Sequence, residues 1–443
     1  MGKCATELKD MENKLSFRAR LALIIYRVLY FLLMIPILCV APILGKFSRR
    51  VKEGFNDYLG NVKLPKSFNK PVLWVHGVSM GESMVALGFA KELRKLYPNS
   101  TILFTTTHPD VVKNVKNKEF IDAVAYFPLD NYRSMKRIFN RWKPDCIFVS
   151  ETDFWPEFSN CCRQRNIPLV LINGRISSKI ASFYSKVDDI SEIVFGAFSF
   201  FAVQSRADAD RLIELKVPLD KINILGNMKA DFTHSNQVDL SNVSSWLNNR
   251  KSVVFGSLHP EEFSLLFPLF KKLVENNIAV IIAPRNIGFA NDWKDELTKA
   301  ELKVCCKSQI ENSDIMLLDT IGELASVYKL SSVSFVGGSL DNNKTGAHNP
   351  LEVLQQGVPL VIGSYYRNFA DIVEQLKEVE AVSVVENDTQ AYEEIMKIIN
   401  DNSLAEKMVK AGNEVLESNK GVLDETIKMA SKLINGIITD SNS

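Results

Sequence analysis

The sequence predicts an α/β protein built from two doubly wound, Rossmann-like parallel sheets, and three observations carry that expectation. Short apolar, β-branched runs alternate with helical sequence along most of the chain. The runs fall into two sets, separated by a polar stretch over 234–249. The length, 443 residues, allows two or three domains with ample core. The expected division is an N-terminal extension and membrane anchor over 1–50, a first Rossmann-like domain over 51–233, a linker over 234–249 and a second domain with closing helices over 250–443.

The N-terminal extension contains the run VLYFLLMIPILCVAPILG, residues 28–45, which has no charge over 18 residues and so reaches the lower limit for a membrane span. Basic residues flank it on both sides, Lys14, Arg18, Arg20 and Arg27 before and Lys46, Arg49, Arg50 and Lys52 after, so charge leaves its orientation open. No small-residue cleavage site follows, which favours an uncleaved anchor over a signal peptide. Pro36 and Pro42 leave open a kinked helix that dips into one leaflet.

In the first domain, PVLWVHGVS reads as a strand entering a turn at Gly77. Met80-Gly81-Glu82 then opens a helix whose apolar positions Val85, Phe89, Leu93 and Leu96 repeat at helical spacing until Pro98. The strands TILFTTT, AYFPL, CIFVS and PLVLIN follow, with helices between them. Ligands of such sheets sit outside the carboxyl ends of the strands, which places 77–82, 105–107, Ser150-Glu151 and Asn173-Gly174-Arg175 on one rim. The second domain repeats the pattern with SVVFGSLHPEE, IAVIIAPRN, LKVCCKS, DIMLLDTIGEL, VSFVGGS, PLVIG and AVSVVE, then a helical stretch from Ser403 to Gly436. Two such halves imply an interdomain cleft of the kind a two-substrate enzyme uses.

The stretch SFVGGSLDNNKTGAHNPLEVLQQGVPLVIG, 334–363, carries the sharpest local signal. Gly337-Gly338 let the backbone pass close to a group above the strand end, and Asn349-Pro350-Leu351-Glu352 begins a helix with an N-cap, a proline at the first position and an acid in the first turn. A phosphate there gains roughly 0.3–2 kcal/mol from the helix dipole. Glu352 suits ribose hydroxyls better than phosphate, so a nucleotide is expected, although a well-capped helix alone would show the same spacing.

Composition narrows the rest. With 53 basic and 52 acidic residues, nothing global points to nucleic acid. Seven scattered cysteines argue for reduced thiols, without a zinc site or disulfide framework. His76, His259 and His348 lie in three motifs without ligand spacing, which favours core or loop roles over a metal site, with phosphate or ribose binding open to His259 and His348.

The ordered set WVHGVSMGE, SETDFWPE, NGRIS, GNMKAD, GSLHPEE, APRN, DTIGEL and FVGGS with HNPLE resembles the 3-deoxy-D-manno-octulosonic acid (Kdo) transferases of lipopolysaccharide synthesis. The resemblance runs from the apolar segment to the last helices. It implies an inverting, metal-independent transferase of the glycosyltransferase B fold. Such an enzyme, needing no cofactor, moves Kdo from CMP-Kdo to a lipid A precursor (lipid IVA) at the cytoplasmic face of a Gram-negative inner membrane. By the same resemblance the catalytic base falls on Glu82 and the transition-state stabilisers on Glu151 and Lys229. CMP contacts fall on Pro284 and Arg285, on Ile321, Gly322 and Glu323, and on Asn349, Pro350, Leu351 and Glu352. Ile321 stands where the family more often has Met, and the insertion-like DNNK, 341–344, departs from the family pattern.

The side chains fit those roles, each with a plainer alternative. A sugar hydroxyl needs a carboxylate to take its proton, a step worth roughly 10²- to 10⁴-fold, and Glu82 at a strand-to-helix turn suits it. It also suits simple helix capping, and a helix N-terminus would lower its pKa. Lys229, in a mobile hinge segment, and Arg285, after a strand, are cations for the leaving phosphate, against a solvated lysine and a surface salt bridge. Two rival functions are a UDP-sugar transferase of the same fold and a membrane-tethered nucleotide-sugar-binding protein without catalysis. The latter should lack a base or cation, whereas Glu82, Lys229 and Arg285 are all present.

Overall fold

The computed structural model describes residues 15–47, 49–232, 238–341 and 346–442, with the side chains of 35–49 and 440–442 outside the described set. It divides into two units, residues 1–232 with 421–443 and residues 233–420.

The first unit holds seven parallel strands: β1 (Val72–His76), β2 (Thr101–Thr106), β3 (Ala123–Tyr126), β4 (Cys146–Ser150), β5 (Leu169–Gly174), β6 (Phe198–Val203) and β7 (Ile222–Ile224). Their order is β3-β2-β1-β4-β5-β6-β7. Every residue of β1 and β4 is buried, as expected of central strands covered by helices on both faces. Trp74 anchors one face, with ring centroids 5.3 Å from both Trp142 and Phe158 in edge-to-face geometry. The order reverses between β1 and β4, so the loops after these two strands open the sheet at its rim.

The apolar N-terminal segment begins earlier than the sequence suggests, as one helix spanning Phe17–Phe47. Among the described residues no helix is long and apolar enough to cross a membrane. The window 28–45 runs past Met34 into side chains outside the described set. Nor is the helix a free tether, because its first half is part of the unit. Ala19 and Leu23 are buried against Ile193. Arg27 donates two hydrogen bonds to Glu157, Nε to Oε2 at 2.7 Å and Nη2 to Oε1 at 2.8 Å. The Tyr26 hydroxyl donates to Asp130 Oδ2 at 2.8 Å, and Asp130 in turn accepts the amides of Glu157 (2.9 Å) and Phe158 (2.8 Å), capping the helix Pro156–Gln164. Burial pushes the Asp130 carboxyl up to about 7, against the pull of those hydrogen bonds. Phe17, Leu21, Ile24, Ile25, Val28, Leu29, Phe31, Leu32 and Leu33 remain exposed.

The helix Val422–Asn442 belongs to the first unit, not to the second as expected of closing helices. Asp231 receives its start, accepting the amides of Gly421 and Leu423 at 2.6 Å each. Ala430 and Ile434 are fully buried in a cluster with Val85, Phe89 and Leu93.

The second unit has the strands β8 (Ser252–Leu258), β9 (Ala279–Pro284), β10 (Val304–Cys306), β11 (Ile315–Leu317), β12 (Val333–Val336), β13 (Leu360–Gly363) and β14 (Val382–Val385), ordered β10-β11-β9-β8-β12-β13-β14. Its reversal lies between β8 and β12. Much of the expected linker is part of this unit. The helix Ser241–Leu247 buries Val243, and Trp246 Nε1 donates to Ser313 Oγ at 2.9 Å, while 233–237 lie outside the described residues. Cys146, Cys161, Cys162, Cys305 and Cys306 are buried free thiols.

Candidate active site

Three carboxylates and one lysine gather at the rim of the first unit. Glu82 lies in the first turn of the helix Met80–Leu96, where Ser79 is the N-cap. Its Oε2 accepts the amides of Val78 (3.0 Å) and Ser79 (3.1 Å), and Ser79 Oγ accepts the amide of Glu82 at 3.3 Å. The capping role is therefore real, and it leaves Oε1 without a protein partner among the described residues. The expected lowering of this carboxyl by the helix N-terminus is outweighed. Burial raises its pKa most and the Glu151 charge adds to that. The Ser79 amide pulls it down, Asp153 pushes it up again, and the net is a carboxyl above its ordinary range. A capped carboxylate with one free oxygen and a raised pKa suits a general base better than an ordinary one.

Glu151, just past β4, is 5% exposed and has a φ of 64°, a left-handed conformation that costs a non-glycine residue about 1–3 kcal/mol. The strain is held by what it contacts. Lys229 Nζ lies 2.8 Å from Oε1, and Asn173 Nδ2 donates to the same oxygen at 3.2 Å. Asn173 also accepts the Met228 amide at 2.9 Å, while the Lys229 amide donates to Asn227 Oδ1 at 3.0 Å. Lys229 is thus clamped, in contrast to the mobile hinge cation expected from GNMKAD. Asn173 is the residue that joins the two motifs, and its place in NGRIS did not reveal that.

Asp153 is the third carboxylate. His76 is fully buried and lies with Nε2 2.6 Å from Asp153 Oδ2 and Nδ1 2.8 Å from Thr105 Oγ1. Trp74 Nε1 donates to that same hydroxyl at 2.8 Å. A buried chain from Trp74 through Thr105 and His76 therefore orients Asp153. Phe154 and Pro156 pack as a helix start, whereas Trp155 is exposed.

The nucleotide residues expected from the sequence lie on the second unit, and their surroundings differ from the expected anion nest. The amides of Gly338, Ser339 and Leu340 are already occupied by the buried carboxylate of Glu262, at 2.6, 2.8 and 3.0 Å, which also accepts the His259 amide at 3.2 Å. The glycine turn thus cradles an internal anion. The helix after it, Leu351–Leu354, has four residues, too few for a substantial dipole. Asn349 does cap it, Oδ1 accepting the Leu351 amide at 3.1 Å, and Asn349 Nδ2 donates to Glu352 Oε1 at 3.3 Å. Pro350 and Leu351 are buried, whereas Asn349 and Glu352 are partly exposed.

Arg285, past the last residue of β9, Pro284, is exposed and forms no salt bridge among the described residues. Its charge is felt at His348, beside Asn349. Glu323 is engaged by Lys307 at 2.7 Å and by Thr320. Although burial works against it, those hydrogen bonds hold its carboxyl below the ordinary range. Gly322 has a φ of 88°, and Ile321 is 80% exposed, so its difference from the family pattern lies at the surface. Of the DNNK insertion, residues 342–344 lie outside the described set.

Two parallel doubly wound α/β sheets are the architecture of the glycosyltransferase B fold. A Rickettsia africae glycosyltransferase structure shares the fold at a TM-score of 0.59 and 14% identity, covering 84% of this chain and 99% of that one. A Neisseria meningitidis UDP-GlcNAc 2-epimerase structure follows at 0.57 and 14%, covering 81% and 99%. The family model for 3-deoxy-D-manno-octulosonic-acid transferase (kdotransferase) matches residues 50–232. The 3-deoxy-D-manno-octulosonic acid transferase of Haemophilus influenzae is 31% identical over 410 residues, covering 89% of this chain and 94% of its own. That of Rickettsia felis is 30% identical over 385 residues, covering 84% and 82%. The chain belongs to the 3-deoxy-D-manno-octulosonic acid transferase family and is a glycosyltransferase.

Proposed function

We propose that the protein transfers Kdo from CMP-Kdo to a lipid A precursor, lipid IVA, with inversion at the anomeric carbon and without a metal. The observation that carries the proposal is the raised, half-capped carboxyl of Glu82 beside the clamped Glu151–Lys229 pair. In the step envisaged, Glu82 Oε1 takes the proton of an acceptor hydroxyl while that oxygen bonds to the anomeric carbon. The bond from that carbon to the phosphate oxygen breaks, and its electron pair leaves with CMP. Lys229, aimed by Glu151, and Arg285 supply cations for the charge that grows on the phosphate. Asn349 and Glu352 serve the ribose. The exposed apolar residues of the helix Phe17–Phe47 support attachment to the cytoplasmic face of an inner membrane, where a lipid acceptor presents its sugar head.

The test is transfer from CMP-Kdo to the tetraacylated disaccharide acceptor by purified protein, read by mass as added Kdo. Glu82→Gln should reduce turnover by about 10²-fold or more with CMP affinity unchanged. Near-normal turnover in that variant would remove Glu82 from the role, and wild-type transfer from a UDP-sugar in place of CMP-Kdo would overturn the donor.

A further inference from the structure

Glu151 and Asp153 share one short loop, residues 151–155, which runs from the end of β4 to the helix Pro156–Gln164. Near β4 the loop is tied to its sheet neighbours. The Glu151 amide donates to the Ile172 carbonyl at 3.0 Å, and the Glu151 carbonyl accepts the Arg175 amide at 3.1 Å. Further along, the Tyr184 hydroxyl donates to the Phe154 carbonyl at 3.0 Å. The far end has no such support of its own. Trp155 is the N-cap of the helix and makes no side-chain cap bond, which leaves the amides of Glu157 and Phe158 to find a partner elsewhere.

That partner is Asp130, 2% exposed, which takes one amide on each carboxylate oxygen. A cap brought in from a remote loop fixes the helix start only as firmly as the cap itself is held. Among the described residues Tyr26 is the side chain that donates to Asp130, at 2.8 Å from Oδ2. The next residue, Arg27, supplies the cation for Glu157 in the same helical turn, and its guanidinium stands 4.8 Å over the Tyr132 ring. Asp130 and Glu157 are close enough to repel. Two consecutive residues of the helix Phe17–Phe47 therefore clamp two adjacent buried acids where the catalytic loop becomes a helix. Ala19 and Leu23 are buried on the same side of that helix, whereas Ile24, Ile25 and Val28 are exposed.

We propose that Tyr26, acting through Asp130, is a positioning residue of the transferase, holding the loop 151–155 so that Glu151 and Asp153 stay in register with Glu82. This rests on the assignment of Glu82 and Glu151 to the transfer step. The helix assigned to membrane attachment is then also a working part of the site. Glu151 depends most on a fixed loop, because its left-handed backbone relaxes wherever the surroundings stop imposing it. A misplacement of about 1 Å in such a site costs up to about 10²-fold in rate.

Tyr26→Phe tests this, since it removes the hydroxyl and keeps the ring that packs 5.6 Å from Tyr30. The full chain is assayed at pH 8, below its melting temperature, for transfer from CMP-Kdo to the tetraacylated disaccharide acceptor. The kcat should fall about tenfold, with KM for either substrate changed by less than about twofold. Hydrogen exchange at the amides of 157 and 158 should quicken about tenfold, with β1 and β5 unchanged. Asp130→Asn should lower kcat at least as far, and Tyr26→Phe added to it should lower kcat no further, because one acts through the other. Unchanged kcat or unchanged exchange in Tyr26→Phe, a loss carried by KM, or losses that multiply in the double variant overturns the inference while leaving Glu82 in its role. If the wild type transfers nothing from CMP-Kdo, the transfer reading falls and the inference falls with it.

Discussion

Replacing Arg27 by Met should destabilise the first unit, because the arginine is the counter-ion of a carboxylate with no exposure. Glu157 is 0% exposed and accepts both hydrogen bonds of the Arg27 fork, with Asn160 adding one at 3.3 Å. Truncating one member of a buried ion pair costs about 3–5 kcal/mol, since it strands the other charge. The Arg27 side chain is 30% exposed, so water repays part of that and about 2–3 kcal/mol is expected. At about 2–4 °C per kcal/mol for a unit of this size, the melting temperature should fall by about 5–10 °C. The measurement belongs at pH 8. The Asp130 carboxyl has a folded pKa of about 7 against an ordinary 3.8, so between those values the folded unit holds the extra proton. Its contribution to stability therefore falls as pH rises through that window and is level above it. Thermal unfolding of Arg27→Met, Glu157→Gln and the double variant completes a cycle. The double variant should recover most of the loss, because no unpaired charge remains. A fall of under a degree in Arg27→Met, or no recovery in the double variant, would refute the view that this helix is integral to the unit.

Two further outcomes are expected. Asp153→Asn removes one of the charges that raise Glu82, so the acid limb of the pH–rate profile should move to lower pH, because the base stays ionised further down. An unmoved limb would separate Asp153 from Glu82. Glu262→Gln places an amide N–H against at least one of the backbone amides that now donate to the carboxylate. It should cost the second unit about 2–4 kcal/mol and weaken CMP binding, by thermal unfolding and calorimetry; stability equal to wild type would show the turn to be self-supporting.

Much of the architecture was legible because central parallel strands are continuous apolar runs. Val72–His76, Thr101–Thr106 and all seven strands of the second sheet stand where such runs occur. The runs at Phe198–Val203 and Ile222–Ile224 were not singled out, the latter being three residues long and only partly buried. Glu82, Glu151 and Lys229 were legible through their motifs, but what holds them was not. Asn173 reaches Lys229's segment across 55 positions of sequence, and Glu262 reaches the glycine turn across 76. Local spacing reports a turn able to bind an anion and cannot report that a distant side chain already fills it. The four-residue helix at Leu351–Leu354 marks the same limit, since cap signals fix where a helix starts and say little of its length.

Because Ala430 and Ile434 close the core around Val85 and Phe89, the unit that leaves the ribosome first is the one completed last. Its sheet must wait while residues 233–420 are translated, on the order of ten to forty seconds at cellular rates, with the seat of its final helix uncovered. A premature stop near residue 420 would spare every residue assigned to catalysis and still leave the catalytic unit unfinished, a substrate for chaperones and proteases.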